Sequence, residues 1–107
     1  MRQIRPAELK EWLDDPQREA PFLLDVRELW EYERCHISDA NLVPMGSVPA
    51  HLGELDQARE TVVICHHGVR SYHVARFLEN NGFKNVINLS GGVDAWAKEV
   101  DRTMPLY

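Results

Sequence analysis

The chain has 107 residues, of which 44% are apolar and 27% charged, and a formal net charge of −5. That length suits one compact domain spanning residues 1–107 and leaves no room for two. The negative charge argues against generic binding to nucleic acid or an anionic membrane surface, which need a basic face, and no run approaches the roughly 18 apolar residues of a membrane span.

In chain order, Met1 to Pro6 lacks the apolar core of a signal peptide, so the chain is expected to be cytoplasmic. Its two cysteines, Cys35 and Cys65, are then expected as free thiols. Ala7 to Leu13 reads as a short helix, with Pro6 suited to the first turn and Leu9, Trp12 and Leu13 on one face. Phe22 to Val26 reads as a buried strand and Glu28 to Arg34 as a helix. Leu42 to Pro44 reads as a short strand, and Pro49 to Leu55 as a short helix. Thr61 to Cys65 is rich in β-branched residues and is the clearest strand. Arg70 to Asn81 is the clearest helix, with Val74, Ala75 and Leu78 on one face and Gly82 placed to cap its end. Asn85 to Leu89 reads as a strand, Gly91-Gly92 as a turn and Val93 to Val100 as a last helix. Trp12, Trp30 and Trp96 are expected in or near the core. The alternation predicts an α/β domain with a largely parallel sheet.

Chemistry concentrates in Cys65-His66-His67-Gly68-Val69-Arg70-Ser71. A buried strand delivers Cys65 to the carboxyl edge of the sheet, where open α/β folds bind ligands. The helix that follows begins with amides lacking intrahelical partners, which suit an anion. Cysteines at such helix starts, beside cations, have pKa values lowered to ~3.5 to ~7.5, so much of the thiol is nucleophilic thiolate at neutral pH. Gly68 supplies backbone angles that only glycine adopts cheaply. Between Glu60 and Glu79 there is no acidic residue, while Arg70, Arg76, His66, His67 and His73 all fall there. The bland alternative, an inert buried cysteine, fits poorly with two histidines, a glycine and an arginine directly after the strand.

This heptad resembles the active-site loop of the rhodanese family, in which a cysteine opens a six-residue loop ending near an arginine. Leu23-Leu24-Asp25-Val26-Arg27-Glu28 resembles the family's Asp-Val-Arg strand motif. His36-Ile37, Ala40 and Pro44 resemble its Gly-His-Ile…Gly-Ala…Pro segment. Asn85-Val86, Leu89 to Gly92 and Trp96 resemble its closing Gly-Gly…Trp motif. Cys35 and Asp39 stand where the family favours glycine. The resemblance implies a rhodanese-like domain with a mostly parallel five-stranded sheet and helices on both faces. It also implies a thiosulfate sulfurtransferase: Cys65 takes sulfur from a thiosulfate-like small molecule and passes it, as a persulfide, to a thiol, cyanide or a sulfur-accepting protein. Loop residues 66–71 would hold that sulfur, Asp25 and Arg27 would brace the region, and no metal or organic cofactor is required.

Arg70 could stabilise the thiolate or anchor the loop through a carboxylate. Ser71 could close the cradle or cap the helix. The adjacent His66 and His67 are expected to diverge, which suits the rim of a pocket better than a metal. Cys35 could pair with Cys65 or simply be buried in place of glycine. Two rival functions differ in kind. A Cys-x5-Arg phosphatase needs one more loop residue than the Cys-x4-Arg present here, and a docking or persulfide-carrier module would use the surface and the tail Asp101 to Tyr107.

Overall fold

The computed structural model describes residues Met1 to Tyr107. Five parallel strands form one sheet in the order β1-β5-β4-β2-β3: β1 (Arg2–Ile4), β2 (Phe22–Asp25), β3 (Asn41–Leu42), β4 (Thr61–Ile64) and β5 (Val86–Leu89). β4 is the middle strand, with Leu23 opposite Val62 on one side and Val62 opposite Ile87 on the other. All four of its residues are buried. Thr, Val, Val and Ile fit a pleated surface covered on both faces.

Each face has its own core. Val62 and Ile64 point to one side, where Leu9 and Trp12 of α1 (Pro6–Asp14) and Val93 and Trp96 of α5 (Gly92–Glu99) pack. Val63 and Cys65 point to the other, against Val48 of α3 (Val48–His51) and Val74, Ala75 and Leu78 of α4 (Val69–Asn80). The remaining helix, α2 (Leu29–Arg34), follows β2. The predicted α/β class, with helices on both faces of a parallel sheet, holds. None of these helices is long and apolar enough to cross a membrane.

The structure departs from the sequence reading in four places. Arg2–Ile4 is a strand that its polar sequence does not announce; pairing with β5 makes it one. Leu42–Pro44 shortens to Asn41–Leu42, because Pro44 has no amide for the ladder. Pro49–Leu55 becomes a four-residue α-helix flanked by 3-10 turns at Met45–Ser47 and Leu52–Glu54. Trp30, at the second position of α2, is 61% exposed rather than core, with the Tyr107 ring edge-on to it; Trp12 and Trp96 are buried as expected.

The two positions where the family favours glycine behave differently. Cys35 is extended, with φ −169°, a conformation open to any residue. Asp39 has φ +69°, the left-handed region that Asp tolerates better than most side chains but glycine enters more cheaply.

Candidate active site

β4 ends at Ile64, so Cys65 is the first residue beyond the middle strand, and the loop runs from it to Gly68 before α4 begins at Val69. Gly68 caps α4 with φ +97°, the turn that the sequence reserved for glycine. This turn brings the Gly68 amide to the sulfur, donating to Cys65 Sγ at 3.1 Å. On its other side Cys65 Sγ donates to Ser71 Oγ at 3.3 Å. The first-turn amides of Val69, Arg70 and Ser71 make no bond to the rest of the protein. The sulfur thus meets one amide and one hydroxyl directly, with three further donors at the start of the helix behind it.

Cys65 is only 1% exposed and touches the apolar core below α4, yet its sulfur also has the two polar partners just named. Asn88, in the middle of β5, holds both of those partners. Its Nδ2 donates to the Gly68 carbonyl at 3.1 Å, and its Oδ1 accepts from the Ser71 hydroxyl. Gln3 of β1 anchors Asn88 in turn, accepting from Nδ2 at 3.0 Å. The loop is also held from outside. Val93 and Asp94, at the start of α5, donate their amides to the carbonyls of Cys65 and His66 at 2.9 and 3.0 Å. Gly92 makes this approach possible: a Cβ there would lie under 3.0 Å from both carbonyl oxygens, and its φ is +58°.

Two ion pairs lie in this region, one of them ending on Arg70. Asp25 and Arg27 are both fully buried, and Arg27 meets the Asp25 carboxylate through Nε and Nη2 at 2.7 to 3.1 Å. Arg27 also donates to the carbonyls of Glu31 and Cys35 and to the Tyr107 hydroxyl. Burial opposes its charge, but Asp25 and Tyr107 outweigh that and hold it protonated above its usual range. Arg70 places Nη1 and Nη2 on the two carboxylate oxygens of Glu31, at 2.7 and 2.8 Å. Of the two roles that the sequence allows for Arg70, pairing with a carboxylate is the one the coordinates contain. Arg70 drives Glu31 down to about 2, against the effect of burial.

Glu31 and Tyr107 belong to this arrangement and escape the sequence reading. The tail that the sequence leaves to a partner instead folds back, setting the Tyr107 ring parallel to His66 at 3.9 Å. His67 stacks on His66 as well, with ring centroids 3.9 Å apart, so the neighbouring rings converge instead of diverging. Donor atoms of His66, His67 and Asp94 lie within 4.8 Å of one another. Asp94 of this group already pairs with Lys98 at 3.0 Å. Val69 is 64% exposed at the mouth. Cys35 is a free thiol beside the Pro105 carbonyl.

A family model described as "Rhodanese-like domain" matches residues 5–99. The chain belongs to the rhodanese family. It is 38% identical over 99 residues to "Putative sulfurtransferase YtwF" of Bacillus subtilis, covering 92% of this chain and 93% of that one. It is 37% identical over 106 residues to "Probable adenylyltransferase/sulfurtransferase MoeZ" of Mycobacterium tuberculosis, covering 97% of this chain but only 26% of the relative's length. The crystal structure of a rhodanese-like domain protein from Staphylococcus aureus superposes with a TM-score of 0.84 at 33% identity, covering 94% and 95% of the two chains. Both of these relatives carry sulfurtransferase in their names, and this chain spans nearly all of the first and about a quarter of the second.

Proposed function

We propose that this rhodanese is a sulfurtransferase of the thiosulfate type, with Cys65 as the nucleophile. The observation that carries the reading is the sulfur held between the Gly68 amide and the Ser71 hydroxyl, at the foot of a helix whose first amides are unpaired. In the first step the Cys65 thiol gives its proton to solvent, and the thiolate attacks the outer sulfur of thiosulfate. A Cys65 S–S bond forms, the S–S bond of thiosulfate breaks, and sulfite leaves with the bonding pair. A thiol, a cyanide ion or a protein cysteine then attacks the outer sulfur of the persulfide, and the Cys65 thiolate is the leaving group. The relay divides one difficult transfer into two displacements. The loop residues His66 to Ser71 form the cradle, in which fixed amides hold the negative outer sulfur without reorganising. Asp25 and Arg27 brace it. A cytoplasmic setting, where thiols stay reduced, suits this chemistry, and none of the steps calls for a metal or organic cofactor.

Two features favour sulfur over phosphate. The ring from Cys65 to Arg70 has only four intervening residues. Arg70 also spends both terminal nitrogens on Glu31, whereas a phosphatase needs that fork on the oxyanion.

Intact-mass measurement after thiosulfate treatment tests the reading. One added sulfur atom, removed by a reductant and absent from Cys65→Ser, is expected. A folded wild-type protein with a free thiol and no adduct would overturn it in favour of a docking module.

A further inference from the structure

We infer that Tyr107 is a positioning residue for the sulfur loop. This deepens the sulfurtransferase reading and rests on it.

The Tyr107 hydroxyl joins the two ion pairs. It accepts from Arg27 Nη1 at 2.8 Å and donates to Glu31 Oε2 at 2.9 Å. With that acceptor in place, all five N–H groups of the fully buried Arg27 guanidinium have partners. Glu31 receives its fourth donor, after two from Arg70 and the Glu28 amide. Burial pushes the phenol up to about 12, so it remains a donor to Glu31 throughout the working pH range.

The ring has a separate task. His66 directly follows the nucleophile. One face of its imidazole carries Tyr107, tilted by 5°, and the other carries His67. Trp30 meets the Tyr107 ring edge-on at 5.7 Å. His66 is therefore fixed twice, by the bond from the Asp94 amide to its carbonyl and by Tyr107 against its ring. It adjoins a cysteine that is 1% exposed. Tyr107 thus links the ion-paired base of the loop to the His66 ring.

This role predicts opposite changes in two reactions of Cys65 together with a change at the His66 ring, and Tyr107→Phe, which loses stability but keeps the ring, separates it from loss of stability alone. Tyr107→Leu is expected to slow sulfur uptake from thiosulfate roughly ten- to a hundredfold, because the acceptor geometry loosens. Alkylation by iodoacetamide, which needs access more than alignment, is expected to quicken roughly threefold. The His66 imidazole proton resonances, shifted upfield by the flanking rings, should move downfield in the same variant. Tyr107→Phe keeps the ring, so it should retain the His66 shift and the slow alkylation while losing thermal stability. The inference is overturned if Tyr107→Leu leaves the His66 resonances and both rates at wild-type values. If Tyr107→Leu does not fold, a downfield His66 shift or fast alkylation in Tyr107→Phe overturns it as well. Should the wild type take up no sulfur at all, the sulfurtransferase reading falls, and the resonance and alkylation arms still decide the role of Tyr107.

Discussion

Arg70 and Glu31 meet as a two-pronged pair, each guanidinium nitrogen on its own carboxylate oxygen. The carboxylate is 5% exposed and the guanidinium 31%. Arg70 therefore acts first as a tie between the start of α4 and α2, and the cation it brings near Cys65 is largely neutralised by its partner.

Removing one side of this pair should be costly. Arg70→Ala leaves a nearly buried carboxylate short of two donors, and a loss of about 2–3 kcal/mol in urea unfolding is expected. Arg70→Lys should recover only part of it, since an ammonium cannot span both oxygens. A loss below about 0.5 kcal/mol for Arg70→Ala, the level of an ordinary surface substitution, would contradict the tie.

Acid should weaken the fold in two stages. Burial, then the neighbouring His67, depresses His66 below 6.5. The unfolded chain therefore takes up that proton first, and stability begins to fall as the pH drops below about 6.5. Glu31, lowered from 4.5 to about 2 chiefly by Arg70, contributes stability that is complete above 4.5 and lost on the way down to about 2. A depression of that size corresponds to about 3 kcal/mol. Urea midpoints taken from pH 7 to pH 2 check both stages. The gap between wild type and Glu31→Gln should close across the lower one; a gap independent of pH would refute the assignment.

Asp25→Asn would strand the Arg27 charge in a site without solvent. A cost of about 3–5 kcal/mol is expected, the range for breaking a buried pair. Chemical denaturation measures it, and a near-neutral result would show that the remaining three partners, the Glu31 and Cys35 carbonyls and the Tyr107 hydroxyl, suffice for Arg27.

Gly92→Ala is expected to distort the loop as well as the helix start. Its Cβ would strike the carbonyl oxygens of Cys65 and His66, both backbone atoms that cannot step aside. Gly46→Ala is the control, having nothing within 4 Å of its Cβ. A fall in melting temperature and in sulfur uptake for Gly92→Ala, with neither for Gly46→Ala, is the expected pattern. Equal melting temperatures in the two variants would argue against the close approach.

Features set by neighbouring residues are legible in the sequence. The β-branched run of β4, the glycine opening α4 and the apolar face of that helix each follow from a few adjacent positions. What escapes depends on partners far along the chain. Arg2–Ile4 becomes a strand only through β5. Glu31 looks like any helix-surface acid until Arg70, 39 positions away, reaches it, and Tyr107 lies 76 positions from Glu31. Asn88 carries a usable signal: an amide between Ile87 and Leu89 in an apolar strand demands partners, and two of its three, Gly68 and Ser71, stand beside the sulfur.

The backbone of Cys65 and His66 is bolted from behind by Val93 and Asp94, so the socket's shape is fixed by main chain while its entrance is dressed by side chains. Exchanging His67 or Val69 redecorates the doorway and leaves the seat untouched. A chain assembled this way can change its clientele while keeping its trade.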